Sequence, residues 1–172
     1  MDQITVACSL EYTNFRLNNY WEKKSPNLLK WLKDIIMHVD PTPEQFDTFK
    51  SLDREKPLNM LNLVKLRHRA DYADGHKSTG AEAYAAYGKE SGPIFAGVGG
   101  KIIWRGSPKA MMIGPKEEIW DIAFIAHYPS LNAFLAMIMN PAYQAIVFHR
   151  QAAVADSRLL ANHELTSSSE FG

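Results

Sequence analysis

Arg150 combines a chemically active side chain with an unusual position in the sequence. It shares a helical stripe with four apolar residues: Tyr143, Ile146, Val147 and Val154. A guanidinium on such a stripe needs a partner, because an unpaired buried charge is very costly. It could anchor the carboxylate or enolate of a ligand. The more common alternative is structural: an ion pair with Asp121 or Asp156, or a head group that reaches water.

His127 is the second candidate for chemistry. It ends a predicted strand, on the face that carries Asp121, Ala123 and Ile125. A histidine there could act as a general base on a ligand held between the sheet and the helices. The more common alternative is a hydrogen-bonded strand-end residue that faces solvent. The catalytic hypothesis combines both candidates: His127 moves a proton, and Arg150 stabilises the negative charge that develops.

A wider set of residues is predicted to line a ligand pocket. Its members are Asn62, Tyr84, Tyr87, Trp104, Tyr128, Met137 and Tyr143. Asn62 interrupts an apolar strand, so its amide needs a partner if it is buried, either in a neighbouring loop or on a ligand. The aromatic residues could line the pocket. Their periodicity also explains most of them as core or as dimer interface.

Motifs for metals and nucleotides are weak. His68, Asp71, Asp74 and His76 share one polar loop, but their spacing matches no closed metal site. The glycines at 97–100 are not followed by Lys and Ser or Thr, so they indicate a turn and not a phosphate-binding loop. We therefore predict neither a metal nor another cofactor.

Composition narrows the classes of partner. The chain has 172 residues, of which 46% are apolar, and 19 basic residues balance 19 acidic ones. This neutrality offers no electrostatic footprint for nucleic acid or for an anionic membrane. No apolar run approaches the roughly 18 residues of a membrane span. Cys8 is the sole cysteine, without an evident partner for a nucleophilic dyad. It fits a reducing compartment, and with no basic leader in the sequence we expect a cytoplasmic protein.

The elements that must position these residues follow one another from Leu58. Residues 58–66, 101–105, 119–128 and 157–161 have the texture of strands, and residues 111–113 could extend the second of them. Helices are predicted after a capping box at Thr79, after Ser130 and at Asn140-Pro141, and Pro93 should kink or restart the first. The order strand, helix, strand, strand, helix, strand is the ferredoxin-like arrangement, an α+β fold with an antiparallel sheet.

The remaining residues divide into two flanking parts. Residues 1–56 are predicted to form an irregular arm and two helices, at 26–39 and after a capping box at Thr42, and residues 166–172 a disordered tail. Residues 57–165 form the ferredoxin-like domain. Its strands are apolar on both faces, whereas one chain of this length supplies helices for only one face. We therefore expect a homodimer built sheet against sheet.

Several short motifs together resemble a known family. They are residues 59–63, residues 80–84, Trp120-Asp121, Tyr-Pro-Ser at 128–130, Met137 with residues 141–143, and residues 150–157. In this combination the chain resembles domain-of-unknown-function family 1330 over about residues 57–163. The resemblance implies a dimeric α/β barrel whose superfamily includes cofactor-free oxygenases, haem-degrading enzymes, isomerases and lyases, so it does not select a reaction. Leu131 stands where the family often has a basic residue, which implies a more apolar ligand.

Three functional hypotheses remain. The first is a cofactor-free enzyme of proton-transfer, isomerase or oxygenase type, acting on a small, partly aromatic or carbonyl-bearing molecule. The second is a binding module that holds a hydrophobic metabolite without converting it. The third is a structural dimer whose amino-terminal helices dock another protein. The sequence by itself does not decide whether the protein is an enzyme.

Overall fold

The structure, a computed structural model, describes residues 38–116 and 118–165. The predicted arm, the helix predicted at 26–39 up to residue 37, and the predicted tail lie outside the described residues.

The described residues form an α+β domain in which one helix precedes the strands and the other helices lie between strands in the chain. In chain order the elements are α1 (Pro43–Lys50), β1 (Leu58–Leu66), α2 (Gly80–Gly97), β2 (Lys101–Gly106), β3 (Ile122–Tyr128), α3 (Leu131–Met139), α4 (Pro141–Gln144), α5 (Phe148–Ala153) and β4 (Val154–Asn162). The predicted order of strands and helices is confirmed.

The four strands form one antiparallel sheet in the order β2-β3-β1-β4. The first and last strands in the chain, β1 and β4, are neighbours in the sheet, and β3 lies between β1 and β2. This is the ferredoxin-like topology, and the predicted fold class is confirmed. In the central pair, Leu58 lies opposite Tyr128 and Val64 lies opposite Ile122.

Local capping chemistry sets where the helices begin. Thr42 and Thr79 each form a complete capping box at the start of α1 and α2. The Ser130 hydroxyl accepts a hydrogen bond from the first turn of α3. The Asn140 side chain does the same for α4, which has Pro141 at its first position. Each of these predicted helix starts is confirmed.

Helix α2 continues through Pro93 without a restart. A proline inside a helix removes the hydrogen bond to the carbonyl four residues earlier. Here that carbonyl belongs to Lys89, which is exposed to solvent, so water can replace the lost donor. The helix tolerates the proline for this reason, and the predicted restart is wrong.

Other boundaries also differ from the prediction. Strand β3 begins at Ile122, three residues later than predicted. Strand β2 ends at Gly106, so residues 111–113 do not extend it. The helix predicted after Asn140 is divided into α4 and α5 by a tight turn, in which the N–H groups of Ile146 and Val147 both donate to the carbonyl of Tyr143. The closing strand then begins at Val154, three residues earlier than predicted.

The helices cover one face of the sheet. Alternation along the paired strands places Leu58, Met60 and Val64 of β1 on this face, together with Ala126 and Tyr128 of β3. All five side chains are buried and belong to the two apolar clusters of the core, with residues of α2, α3, α4 and α5 packed against them.

The opposite side of the sheet, which we call the open face, is also apolar at its centre. Its members are Leu61, Leu63, Trp104, Ile125 and Leu160. Among the described residues, none of these five belongs to either core cluster. Trp104 is 51% exposed and Leu160 is 47% exposed. The described helices therefore serve one face of this sheet, as the sequence predicts.

A glycine joins α2 closely to the segment that follows β1. A β-carbon at Gly80 would lie 2.1 Å from the backbone oxygen of Arg67 and 3.0 Å from that of Ala153. The Arg67 N–H also donates to the Ala153 carbonyl at 2.8 Å. Only glycine fits here without moving backbone, so this contact fixes the loop after β1 against the start of α2 and the end of α5.

Candidate functional site

Arg150 lies on α5 and is largely buried, with 17% of its side chain exposed. Its Nη1 donates to the backbone carbonyl of Val39 at 2.8 Å and lies 3.5 Å from the Asp40 carboxylate, and its Nη2 donates to the Ser157 hydroxyl at 3.3 Å. The guanidinium therefore has structural partners, which it uses to hold residues 39–40 against the domain.

The ion pair predicted for Arg150 with Asp121 or Asp156 is wrong. Asp121 accepts a hydrogen bond from the backbone N–H of Leu66 at 2.7 Å, and Asp156 pairs with Arg158 at 2.8 Å. Both carboxylates are thus engaged near their own strands, and Asp40 takes the place expected for them.

His127 lies on the open face, beside the apolar centre of that surface. Its Nδ1 is 2.9 Å from the Asn59 side-chain oxygen, and both residues are half-buried. This places the imidazole on the face away from the helices, although the hypothesis required a ligand between sheet and helices. The structure does not bring His127 and Arg150 together within one chain, because the sheet separates them.

Four tyrosines gather between the sheet and the helices, and we call them the tyrosine cluster: Tyr84, Tyr87, Tyr128 and Tyr143. The hydroxyls of Tyr87 and Tyr143 are hydrogen-bonded at 2.9 Å, and the rings of Tyr84 and Tyr87 lie 5.7 Å apart. Tyr128 donates to the Met137 sulfur at 3.4 Å. Tyr128 and Tyr143 are buried and the other two are half-buried. Five predicted pocket residues are therefore brought together.

The other two predicted pocket residues lie elsewhere. Trp104 is on the open face, paired in register with Ile125. Asn62 faces the helices, but its amide donates to the carbonyl of Met60 in its own strand at 2.9 Å. The partner expected for Asn62 in a neighbouring loop is therefore replaced by a bond within β1.

Burial raises the pKa of three phenols of the cluster. It raises the pKa of Tyr84 to about 12; nearby Tyr87 acts in the same direction, whereas the positive charges of Arg150 and Arg105 oppose the rise. Burial also raises the pKa of Tyr128 and of Tyr143 well above the usual range, in Tyr143 with help from Tyr87. At neutral pH these phenols keep their protons, so they can donate hydrogen bonds to a carbonyl or enolate oxygen.

Another group of polar side chains has no local signal in the sequence. The Tyr72 hydroxyl lies 2.6 Å from His149 Nδ1, and His149 Nε2 lies 3.6 Å from a carboxylate oxygen of Glu90. Tyr72 and His149 are 77 positions apart, so no motif joins them. No partner for His149 is evident in the sequence, whereas the fold places Tyr72 and Glu90 beside it.

Tyr72 also lines a surface depression of about 410 Å³ formed by the loop after β1. The other lining residues are Arg67, Arg69, Ala70, Asp71, Gly75 and His76. Within the described residues, no three His, Cys, Asp or Glu side chains are placed to hold a metal ion.

The comparison with known families settles the relationship. The model of the family described as Domain of unknown function (DUF1330) matches residues 75–162, just over half of the chain. The chain belongs to the DUF1330 family. The predicted resemblance is confirmed, and the match runs from the depression loop through the tyrosine cluster to the end of β4.

Solved structures agree with this assignment. A protein of unknown function from Rhodopseudomonas palustris is 55% identical to this DUF1330 chain, with a TM-score of 0.73, and the match covers 76% of this chain and 99% of that one. No curated protein matches the chain. This relative therefore supports the fold and does not indicate a function.

More distant structures resemble the chain weakly. A dimeric ferredoxin-like protein of unknown function from Bacteroides fragilis is 13% identical with a TM-score of 0.42, over 65% of this chain and 100% of that one. SnoaB, a cofactor-independent oxygenase from Streptomyces nogalater, is 14% identical with a TM-score of 0.44, over 67% and 99%. We draw no functional inference from likenesses of this size.

The described helices are shorter than the roughly 20 residues of a typical membrane span. No single one of them has the length and apolar character to cross a membrane, although residues 131–139 and 141–153, bent by 59° at their junction, would together reach that length.

Proposed function

We propose that this DUF1330 protein binds a small, partly aromatic or carbonyl-bearing molecule at the tyrosine cluster and polarises its carbonyl group. The observation that carries the proposal is the pair of hydroxyls of Tyr87 and Tyr143, 2.9 Å apart. Two phenol hydroxyls that already meet can both turn to donate to one ligand oxygen placed beside them. Arg150 and Arg105 add positive potential at Tyr84, which favours negative charge on that oxygen.

The half-buried members of the cluster offer a route for the ligand. Tyr84 and Tyr87 lie on α2 and keep part of their surface in solvent, whereas Tyr128 and Tyr143 close the inner side. The aromatic faces would pack against an aromatic or apolar ligand, and the hydroxyls would donate hydrogen bonds to its oxygen. This matches the apolar ligand that Leu131 implies in the sequence.

Catalysis would follow from carbonyl polarisation if a base were in reach. Hydrogen bonds to a carbonyl oxygen acidify the neighbouring C–H groups, which is the basis of enolisation and of isomerase chemistry. Among the described residues, however, the cluster contains phenols and a thioether but no carboxylate or imidazole, and His127 lies across the sheet. That observation favours the second candidate function, in which the protein holds the molecule without converting it.

The open face supports the proposal that the working form is a homodimer. Its apolar centre combines Leu61, Leu63, Trp104, Ile125 and Leu160 on a surface that the described helices leave free. Contiguous apolar surface of this kind marks an interface, and two twisted sheets can pack face to face with their side chains interleaved. A cytoplasmic location belongs to the same proposal, supported by the lone Cys8.

Native mass spectrometry of the gently purified protein tests both parts. We expect twice the chain mass plus a reproducible small increment that can be released and identified. The variant Tyr143→Phe removes one hydroxyl of the central pair and should lose the increment while remaining a dimer. Tyr72→Phe removes a hydroxyl outside the cluster and serves as the matched control. An increment that survives Tyr143→Phe but is lost in Tyr72→Phe would refute binding at the tyrosine cluster.

A further inference from the structure

Tyr72, His149 and Glu90 form a line of polar groups that the proposed function does not use. They come from separate elements: Tyr72 from the loop after β1, His149 from α5 and Glu90 from α2. The Tyr72 hydroxyl is 2.6 Å from His149 Nδ1, and His149 Nε2 is 3.6 Å from the Glu90 carboxylate. A hydroxyl, an imidazole and a carboxylate in this order can pass a proton along the line.

The outer end of this line faces a depression that carries positive charge. Arg67, Arg69 and His76 line it, together with Tyr72 and one acidic residue, Asp71. Within the described part of the chain, neither arginine has an ion pair, and the Nε of Arg67 is buried with no hydrogen-bond partner. Since no carboxylate of the described residues pairs with either guanidinium, both arginines are available to the carboxylate of a ligand in the depression.

We propose that this depression binds a small organic acid, and that Tyr72 accepts a proton from the bound acid while passing its own to His149. The acid is held through its carboxylate by Arg67 and Arg69. Its acidic C–H or O–H bond breaks, and that proton goes to the Tyr72 oxygen. The Tyr72 hydroxyl proton goes to His149 Nδ1, and the Glu90 carboxylate stabilises the imidazolium.

The proton count balances without any further reactant. The bound acid loses one proton, His149 gains one, and the negative charge left on the acid faces the arginines. Return of the proton along the same line restores the protein. The net result is proton exchange or, if the proton returns to another atom of the acid, isomerisation.

The environment of Tyr72 supports the direction of this relay. Burial raises the pKa of Tyr72, and Asp74 and Glu90 act in the same direction, so the phenol is protonated at neutral pH and can donate a hydrogen bond to His149 Nδ1 before the acid binds. The ring of Tyr72 also packs against the rings of His76, Phe148 and His149, with centroid separations of 5.3–6.0 Å. These contacts hold the phenol in place at the edge of the depression.

Phenylpyruvate is a suitable probe, because it carries a carboxylate for the arginines and an exchangeable C–H group for the relay. The full-length protein is incubated with phenylpyruvate in D2O, binding is followed by NMR titration, and exchange is followed by loss of the methylene signal against a protein-free control. We expect saturable binding and accelerated exchange. Tyr72→Phe should keep the binding constant and lower the exchange rate by about 100-fold.

Two further variants separate binding from proton transfer. Arg69→Ala, at an exposed position, should weaken binding by about tenfold. Glu90→Gln, also exposed, should lower the exchange rate with binding retained, and it covers the case in which Tyr72→Phe fails to fold. Lys109→Ala, at an exposed position outside both sites, is the control and should change neither quantity, and Tyr143→Phe reports on the tyrosine cluster.

The opposite results are equally clear. Absence of saturable phenylpyruvate binding would overturn the site, and full exchange activity in a folded Tyr72→Phe variant would overturn the relay. Exchange that is lost in Tyr143→Phe but kept in Tyr72→Phe would move the chemistry to the tyrosine cluster. That last outcome would support the proposed function at the tyrosine cluster and refute the relay at Tyr72. The two proposals can therefore fail separately.

Discussion

Leu160 offers a direct test of the proposed dimer, because the neighbouring Leu159 is a nearly perfect control. The two leucines follow each other on β4 with exposed fractions of 47% and 46%. Leu160 pairs in register with Leu61 on the open face, and Leu159 pairs with Asn62 on the face toward the helices. Replacing either with alanine removes the same atoms from the same strand, but only Leu160 belongs to the proposed interface.

The size of the effect follows from the exposed area. Complete burial of a leucine side chain contributes about 1.5–3 kcal/mol, so covering the exposed half of Leu160 contributes about 1 kcal/mol in each subunit. In a symmetric dimer the change occurs twice, and the loss is about 2 kcal/mol. The dissociation constant of Leu160→Ala should therefore rise by about 30-fold.

Sedimentation equilibrium over a dilution series measures this constant for the wild type and both variants. We expect Leu159→Ala to dissociate like the wild type and Leu160→Asp, which places a charge in the interface, to be monomeric throughout. Equal dissociation constants for the two alanine variants would refute the assignment of the open face. A wild-type monomer at every concentration would refute the dimer itself.

Three further predictions concern stability. Gly80→Ala should lower the free energy of unfolding by about 1–3 kcal/mol, because its new methyl group meets backbone. Gly88→Ala, with open space around it, is the control and should be neutral or raise that free energy by up to about 1 kcal/mol. Similar losses for both variants in urea unfolding would contradict the close packing at Gly80. Thr79→Ala should cost about 1 kcal/mol by removing the helix cap and Thr79→Ser much less, so equal unfolding midpoints for the two would argue against the cap. The pKa of Tyr84 is raised to about 12, so its contribution to stability is complete below about pH 10 and is lost as the pH rises toward 12. Tyr84→Phe should therefore reduce the fall of the unfolding free energy between pH 10 and 12. An unchanged slope of unfolding free energy against pH would indicate an exposed phenol.

Features with a local physical cause could be predicted from the sequence. The caps at Thr42, Thr79, Ser130 and Asn140 depend on a few neighbouring residues, and the structure confirms each helix start. Alternation along the strands likewise identified the apolar character of both sheet faces. Since these signals give the order of elements, the ferredoxin-like topology followed with little further information.

Features that depend on distant residues could not be predicted. Alternation correctly placed His127 on one face with its neighbours, but it does not indicate which face the helices cover. Helical spacing correctly placed Arg150 among apolar residues, but it could not identify partners in residues 39–40, some 110 positions away. The same holds for Tyr72 and His149, which meet only because the loop after β1 is fixed against α5.

The outer strand β2 has a further consequence for how copies of this chain can associate. Its apolar residues Ile102, Ile103 and Trp104 are each about half exposed, and β2 lies at the edge of the sheet. A regular apolar edge invites the addition of another strand and, eventually, aggregation. Here the register shifts between Ile102 and Trp104, so Ile103 is an extra residue that breaks the even spacing of the edge.

This extra residue also protects the edge of the sheet against pairing with another chain. An incoming strand would find no continuous ladder to extend, while Trp104 keeps its place opposite Ile125 on the open face. Deleting Ile103 would make the edge regular and leave Ile102 opposite Ala126 and Trp104 opposite Ile125. The shortened chain would keep its open face and gain a strand edge suited to uncontrolled growth. The bulge thus directs association toward pairing of faces and away from pairing of edges.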